Sequence, residues 1–118
     1  MRDHAPVVLS AETLLGNSVR NGDGEDLGSI TDFVMDVRSG RVAYAVLDFG
    51  GLFGIGNKLF AVPFEAMNLN TVDECFVLNV EKDRLEDAPG FDKDDWPENP
   101  DYSFVNRVHQ YYGMEPWS

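Results

Sequence analysis

The glycine-rich stretch from Phe49 to Lys58, FGGLFGIGNK, is where nucleotide chemistry would first be sought. A phosphate-binding loop needs G-x-x-x-x-G-K-[ST] between a strand and a helix, so that backbone N–H groups converge on the phosphate. Gly51 and Gly56 have this spacing, but Asn57 stands where lysine is required. The apolar run that follows stops at Pro63, which is typical of a strand. We therefore predict that this loop turns the chain between two strands.

Candidate nucleophiles and zinc ligands are few. Cys75, His4 and His109 are far apart in the sequence and have none of the paired spacing that zinc sites show. A single cysteine in a strand is more often a small buried hydrophobic residue than a reactive thiol. His109 lies beside an apolar helical stripe, which favours a packed histidine. The sequence predicts no catalytic residues, no metal site and no cofactor.

Carboxylates are plentiful, yet none is spaced for a known reaction. Asp32 and Asp36, four apart on a strand, lie ~13 Å from each other, which is too far for a general acid and base. We expect them to be solvated, or to pair with Arg38 and Arg41 across a hairpin. The acidic run after Asp92 fails as a calcium loop, because Trp and Pro occupy its fifth and sixth positions.

The segment Asn21–Asp26, NGDGED, is a better candidate for a cation site, and its two glycines also form a turn signal. We favour the turn. It leaves one alternative function open, a small-ligand or divalent-cation binding protein that uses a barrel mouth or the acidic turns.

The overall charge excludes whole classes of partner. The 118 residues include 21 acidic and 9 basic ones, so the net charge is -12. This charge repels phosphate backbones and anionic lipids, which argues against nucleic acid and membranes as partners. No apolar run approaches the ~20 residues of a membrane span. Together with the lone cysteine, these features predict a cytoplasmic protein without membrane insertion.

Strand signals dominate the first 80 residues. The segment Leu27–Val37 is predicted to be a strand. Ile30 would face the opposite side of the sheet from the apolar residues that alternate from Phe33 onward, so we predict a bend near Thr31. A turn with Gly40 leads to a return strand whose two faces are both apolar, so it should be covered on both sides.

Two shorter strands are predicted over Leu59–Val62 and Val72–Val80, with one turn of 3₁₀ helix from Phe64 to Ala66. Short strands with turns about every ten residues indicate a small barrel or sandwich. We expect a mostly β, partly open antiparallel barrel within residues 1–80, with its core over about 9–80.

The remaining residues, 81–118, form an acidic extension. Glu81–Pro89 could form a short helix. Gly90–Pro100 has no periodic pattern of apolar residues and is predicted to be a linker or a wrapped arm. A short amphipathic helix is predicted over about 101–112, closed by Gly113. Its apolar face must be buried against this chain or another one.

Four ordered motifs resemble those of the PRC-barrel family. They are TLLGNSV at 13–19, DLGSITDFVMD at 26–36, GRVAYAVL at 40–47 and FGGLFGIGNKLFAVPFEAM at 49–67, so the likeness spans roughly 9–80. The later stretches LEDAPGFDKDDWP and HQYYG resemble extensions carried by stand-alone bacterial members of that family.

The resemblance implies a small barrel of five or six strands and a docking role. Relatives include the cytoplasmic domain of the photosynthetic reaction centre H subunit and the C-terminal domain of a ribosome maturation factor. The resemblance implies contact with other proteins, without chemistry, and we expect a non-enzymatic assembly module that is a homodimer with further protein partners.

Large apolar side chains in the glycine loop and the tail are the predicted contact residues. The loop residues either fold over the barrel end or face a partner. The full set is Leu52, Phe53, Ile55, Trp96, Phe104, Val108, Tyr111, Tyr112 and Trp117.

Overall fold

The structure, a computed structural model, describes residues 8–48, 58–70, 75–92 and 102–115. Its strands are β1 (Ser18–Arg20), β2 (Asp26–Asp36), β3 (Arg41–Asp48), β4 (Lys58–Val62), β5 (Met67–Asn70), β6 (Cys75–Leu78) and β7 (Gly90–Asp92). Its helices are α1 (Ala11–Leu14), the 3₁₀ turn η1 (Phe64–Ala66), α2 (Lys82–Glu86) and α3 (Tyr102–Tyr111).

The strands form one sheet in the order β5-β6-β1-β2-β3-β4-β7. Neighbouring strands are antiparallel except for β1 and β6, which are parallel. Among the described residues β5 and β7 end the sheet without pairing to each other, so the barrel is open. The predicted fold class is confirmed, with one correction, since the sheet is mixed where an antiparallel one was expected.

The hairpin of β2 and β3 is the centre of the sheet. Gly40 has φ +78° in its turn, as the predicted tight connection requires. The register shifts between Ile30 and Asp32, which leaves Thr31 as an extra residue on β2. This bulge lets Ile30 and Phe33 point to the same side, and the predicted bend near Thr31 is confirmed.

A second bulge was not predicted. Val34 pairs with Tyr44 but Met35 pairs with Val42, so Ala43 is the extra residue on β3. Val42 therefore lies on the same side as Met35, and not with Tyr44 as simple alternation indicated.

Two apolar layers cover the two sides of β3 and β4, as the apolar faces of β3 predict. The concave side encloses the barrel core, which is Val19, Leu27, Ile30, Ala45, Leu47, Phe60, Val62, Met67, Phe76, Leu78, Leu85 and Ala88. The opposite side carries the outer cluster, which is Ala43, Tyr44, Val46, Leu59, Ala61, Val105 and Val108. Helix α3 supplies the last two residues and closes the outer cluster.

Helix α3 ends as its sequence predicts. Gly113 has φ +73°, and its N–H bonds to the Gln110 carbonyl at 3.0 Å. The Met114 N–H bonds to the His109 carbonyl at 2.8 Å, which completes a Schellman motif. At the other end, the Tyr102 hydroxyl donates to Asp36 at the tip of β2, at 3.2 Å.

Residues after Val80 also contribute to the barrel. The predicted short helix is present as α2, and its Leu85 lies in the barrel core together with Ala88. Strand β7 pairs with β4 within a stretch that was predicted to have no regular structure. Its three residues include a glycine and no β-branched residue, so only the pairing with β4 reveals the strand.

Candidate functional site

An apolar groove opens at one end of the barrel core and has a volume of about 460 Å³. Every lining residue that the structure describes is apolar. The lining residues, called the apolar groove from here on, are Leu9, Ala11, Leu14, Phe33, Met35, Val42, Phe64, Met67, Leu69 and Phe76.

One wall of the groove is the N-terminal helix. The Ser10 hydroxyl caps α1 by accepting a hydrogen bond from the Glu12 N–H at 3.2 Å. Ala11 and Leu14, three residues apart, then lie on the same face of the helical turn and point into the groove. The cap thus fixes the direction in which this wall presents its apolar side chains.

The opposite wall comes from the central hairpin. Phe33 and Met35 are two residues apart on β2, so both point to the concave side. Val42 joins them because the bulge at Ala43 reverses the parity of β3 at this point. The unpredicted bulge therefore builds part of the groove.

The floor is a row of three aromatic rings. Phe64 packs edge-on against Phe33, with ring centroids 5.6 Å apart and planes at 88°. It also packs against Phe76, at 5.9 Å and 63°. Such edge-to-face pairs add to the stability that burial gives, so the floor is a fixed surface.

The rim of the groove is open to water. Leu9 is 48% exposed and Met35 is 47% exposed, although both side chains are large and apolar. Contiguous apolar surface in contact with water marks binding sites for proteins or ligands. The described residues of the lining include no acid, base or nucleophile, and what they offer a partner is apolar contact.

The predicted tail contacts are already made within the chain. Val108 is fully buried in the outer cluster, and the Phe104 ring packs against Tyr44 at 5.6 Å. Tyr111 and Tyr112 pack against the barrel core, and the Tyr111 hydroxyl donates to the Arg84 carbonyl. The described part of the tail therefore covers its own barrel, one of the two arrangements left open by the sequence.

The other predicted contact residues lie outside the described residues. They are Leu52, Phe53 and Ile55 of the glycine loop together with Trp96 and Trp117 of the tail.

The candidates for catalysis that the structure describes are packed into the fold. His109 is buried, and its Nε2 lies 3.1 Å from the Ala43 carbonyl oxygen. Cys75 is a buried free thiol. His4 lies outside the described residues. Both described side chains hold structural positions, and the groove is lined by other residues.

The acidic turn is held by its own side chains. Asn21 Oδ1 accepts hydrogen bonds from the Asp23 N–H at 3.0 Å and the Glu25 N–H at 2.9 Å. Asn21 Nδ2 donates to Glu25 at 2.8 Å. These contacts match the predicted turn. In the described part of the chain, no three His, Cys, Asp or Glu side chains are grouped as metal ligands.

Asp36 on β2 interacts with its own hairpin turn. Asp36 accepts a hydrogen bond from the Ser39 hydroxyl at 2.8 Å. That bond, more than those from the Arg38 N–H and the Tyr102 hydroxyl, holds the pKa of the Asp36 carboxyl below its ordinary value. The nearby charge of Arg38, one of the two expected arginine partners, also lowers the pKa of this carboxyl. Arg41 pairs with Glu65 at 3.2 Å and so ties β3 to η1.

Sequence reasoning missed the groove as a site. Its residues come from segments that are far apart in the chain, and each segment alone is indistinguishable from ordinary core. The available signals were the alternation of Phe33 with Met35 and the apolar residues around the capping Ser10. Neither signal indicates which apolar residues remain exposed.

The chain matches a known protein family. The family model described as PRC-barrel domain matches residues 6–85, which is well over half of the chain. No curated protein matches the chain significantly. Among the described residues, no helix has the length and apolar character needed to cross a membrane.

Proposed function

We propose that this chain, which belongs to the PRC-barrel family, is a non-enzymatic docking protein, because domains of that family are often protein-interaction modules. Its apolar groove receives an apolar segment of a partner protein. The observation that carries this proposal is the half-exposed apolar rim formed by Leu9 and Met35 above a fixed aromatic floor.

The energetics of the groove support docking. Burial of apolar surface contributes roughly 25 cal/mol per Å², and a large apolar side chain that becomes fully buried contributes about 1.5–3 kcal/mol. Leu9 and Met35 have surface left to bury, whereas the residues of the barrel core have almost none. An apolar side chain of a partner, placed between Leu9 and Met35, would bury apolar surface against both of them.

A second candidate function has one observation in its favour. The volume of about 460 Å³ lies within the range of small-molecule sites, so an apolar ligand could occupy the barrel mouth. Such sites also contain a few polar groups that orient the ligand, and the side chains in the described part of the lining are all apolar. Docking of an apolar protein segment therefore fits the groove better.

Affinity capture with matched variants tests the proposal. The tagged protein is incubated with lysate of the cells that make it, as wild type, as Met35→Lys and as Val37→Lys. Val37 is 90% exposed and does not line the groove, so its replacement is a control for the added charge. We expect wild type and Val37→Lys to capture a partner protein in similar amounts. Met35→Lys should capture at least about tenfold less of it, because a charge at the rim opposes apolar contact.

Two outcomes of the capture count against the proposal. If Met35→Lys and Val37→Lys retain the same proteins in the same amounts, the groove is not the docking surface. If both variants lose the partner equally, general charge and not the groove explains the loss. Val37 is largely exposed and Met35 is half-exposed, so melting curves should show both variants folded.

Self-association is a further part of the proposal. The sequence predicts a homodimer with Phe53 and Ile55 at its interface, and the cytoplasmic location also remains a prediction. Light scattering should then give twice the chain mass of 13.2 kDa, and Phe53→Ser with Ile55→Ser should return it to 13.2 kDa. A dimer unchanged by both substitutions removes the loop from the interface, and a monomeric wild type removes the dimer.

A further inference from the structure

We propose that the segment received by the apolar groove is an extended strand of a partner protein, which pairs with an unpaired edge of β2 and places every second side chain in the groove. This inference rests on the proposed docking function and adds the conformation and the residue pattern of the partner segment. It follows from the backbone of β2 beside the groove.

Strand β2 is longer than the strand that pairs with it on one side. It runs over Asp26–Asp36, and β1 pairs only with its first part, Asp26–Ser29. Ile30 is the next residue paired on that side, since its N–H donates to the Asn17 carbonyl at 3.1 Å and its carbonyl accepts from the Gly16 N–H at 2.7 Å. Within the described part of the chain, no strand continues along this side of β2 past Ile30.

The backbone groups of Phe33 and Met35 point toward this unpaired side. The bulge at Thr31 places the side chains of Ile30 and Phe33 on one face, and residues that share a face of a strand also direct their N–H and C=O groups to the same edge. The Phe33 N–H agrees, because it donates to Oδ1 of the exposed Asp32 at 2.7 Å. Met35, two residues later, repeats this direction. This side of β2 from Phe33 to Met35 is called the free edge from here on.

The free edge borders the apolar groove. The side chains of Phe33 and Met35 line the groove opposite Ala11 and Leu14 of α1. A strand added to the free edge would turn one face toward the groove, and its alternate side chains would enter beside Met35. In such strand addition, main-chain hydrogen bonds give affinity and pockets for alternate side chains give specificity. The free edge and the groove supply both.

The unpaired backbone selects among the occupants that an apolar groove could accept. A helix satisfies its backbone groups internally, and an apolar small molecule has none, so neither can pair with the free edge. A second copy of the chain has the same edge. In the antiparallel register that joins Phe33 of one copy to Met35 of the other, however, Asp32 comes opposite Asp36, and like charges directly opposite destabilise a sheet. A strand of another protein fits the free edge better.

Labelled synthetic peptides test the proposal by fluorescence polarisation with the full chain. The first has leucine at every second position, with threonine and serine between. The second has the same residues rearranged, with the leucines at helical spacing. We expect the alternating peptide to bind at least about tenfold more tightly, because only it presents all its leucines to the groove while its backbone pairs with the free edge.

Two N-methylated forms of the alternating peptide test the backbone pairing itself. One has its leucine amides methylated and the other has its threonine and serine amides methylated, so the side chains are unchanged. Amides of a strand point alternately to its two edges, so only one of the two sets faces β2. One form should therefore bind at least about tenfold more weakly than the other. Equal binding of the two forms would overturn the proposed strand pairing.

The variants used for capture locate the peptide. Binding of the alternating peptide should weaken at least about tenfold in Met35→Lys and stay within about twofold of wild type in Val37→Lys. The reason is that Met35 lies on the free edge and lines the groove, whereas Val37 follows the end of β2. Unchanged binding in Met35→Lys would place the peptide elsewhere and overturn the proposal.

The outcomes separate this inference from the docking function. If both leucine arrangements bind equally and both depend on Met35, the groove docks proteins but the extended strand is wrong. If no peptide binds, the extended strand is also wrong, and the docking function is judged by the capture experiment alone. A dimer lost in Met35→Lys and kept in Val37→Lys would assign the free edge to a second copy and overturn the choice of partner.

Discussion

Leu85→Ala is expected to lower the free energy of unfolding by about 2–5 kcal/mol, measured by denaturant titration. Leu85 is 0% exposed and lies in α2, outside the run of strands that the sequence identifies most clearly, yet it packs in the barrel core. Removal of its side chain leaves a cavity that the surrounding strands fill only in part.

Leu15→Ala is the matched control for this prediction. Leu15 follows α1 and is 40% exposed. Leu15→Ala should therefore lower the free energy of unfolding by much less than Leu85→Ala does. If Leu85→Ala is as mild as Leu15→Ala, the residues after Val80 do not contribute to the barrel core as the structure indicates.

Tyr44→Phe is expected to stabilise the protein, and the gain should be largest at alkaline pH. The Tyr44 side chain is 0% exposed, and its hydroxyl has no hydrogen-bond partner among the described residues. A buried hydroxyl without a partner costs about 1–3 kcal/mol, and phenylalanine fills the same space without that cost.

The pH dependence follows from the raised pKa of this phenol. Burial raises the pKa of Tyr44 from 10.0 to about 12, because the anion would lose its hydration. Between pH 10 and 12 the unfolded chain ionises at this residue and the folded chain does not. Stability present below pH 10 is therefore lost as the pH rises, by up to about 3 kcal/mol.

Denaturant titrations at pH 8 and pH 11 measure this effect in wild type, Tyr44→Phe and Tyr102→Phe. Tyr102 is half-exposed, so its replacement should leave the alkaline loss in place. Burial also raises the pKa of Tyr112, so part of the loss should persist until that residue is replaced too. An identical alkaline loss in wild type and Tyr44→Phe would contradict this account of the outer cluster.

Much of the fold could be predicted because local chemistry determines it. The parity conflict between Ile30 and Phe33 required a bulge, and Gly40 marked the hairpin turn. The spacing of apolar residues before Gly113 predicted α3 and its end. In each case the residues concerned lie within one turn or one strand of each other.

What could not be predicted depends on distant partners. Strands β1, β5 and β7 have only three or four residues each, and pairing with neighbours stabilises them more than their own propensities do. The parallel pairing of β1 with β6 and the bulge at Ala43 also arise from the assembled sheet. The apolar groove depends on both, so its residues could be recognised as apolar but not as exposed.

The central claim is that the apolar groove is the surface through which this protein holds its partner. Calorimetric titration of the captured partner into wild type, Met35→Lys and Val37→Lys tests it most directly. We predict that the dissociation constant rises at least about tenfold for Met35→Lys, which corresponds to 1.4 kcal/mol, and stays within about twofold of wild type for Val37→Lys. Equal dissociation constants for wild type and Met35→Lys, with both proteins folded, would contradict the claim.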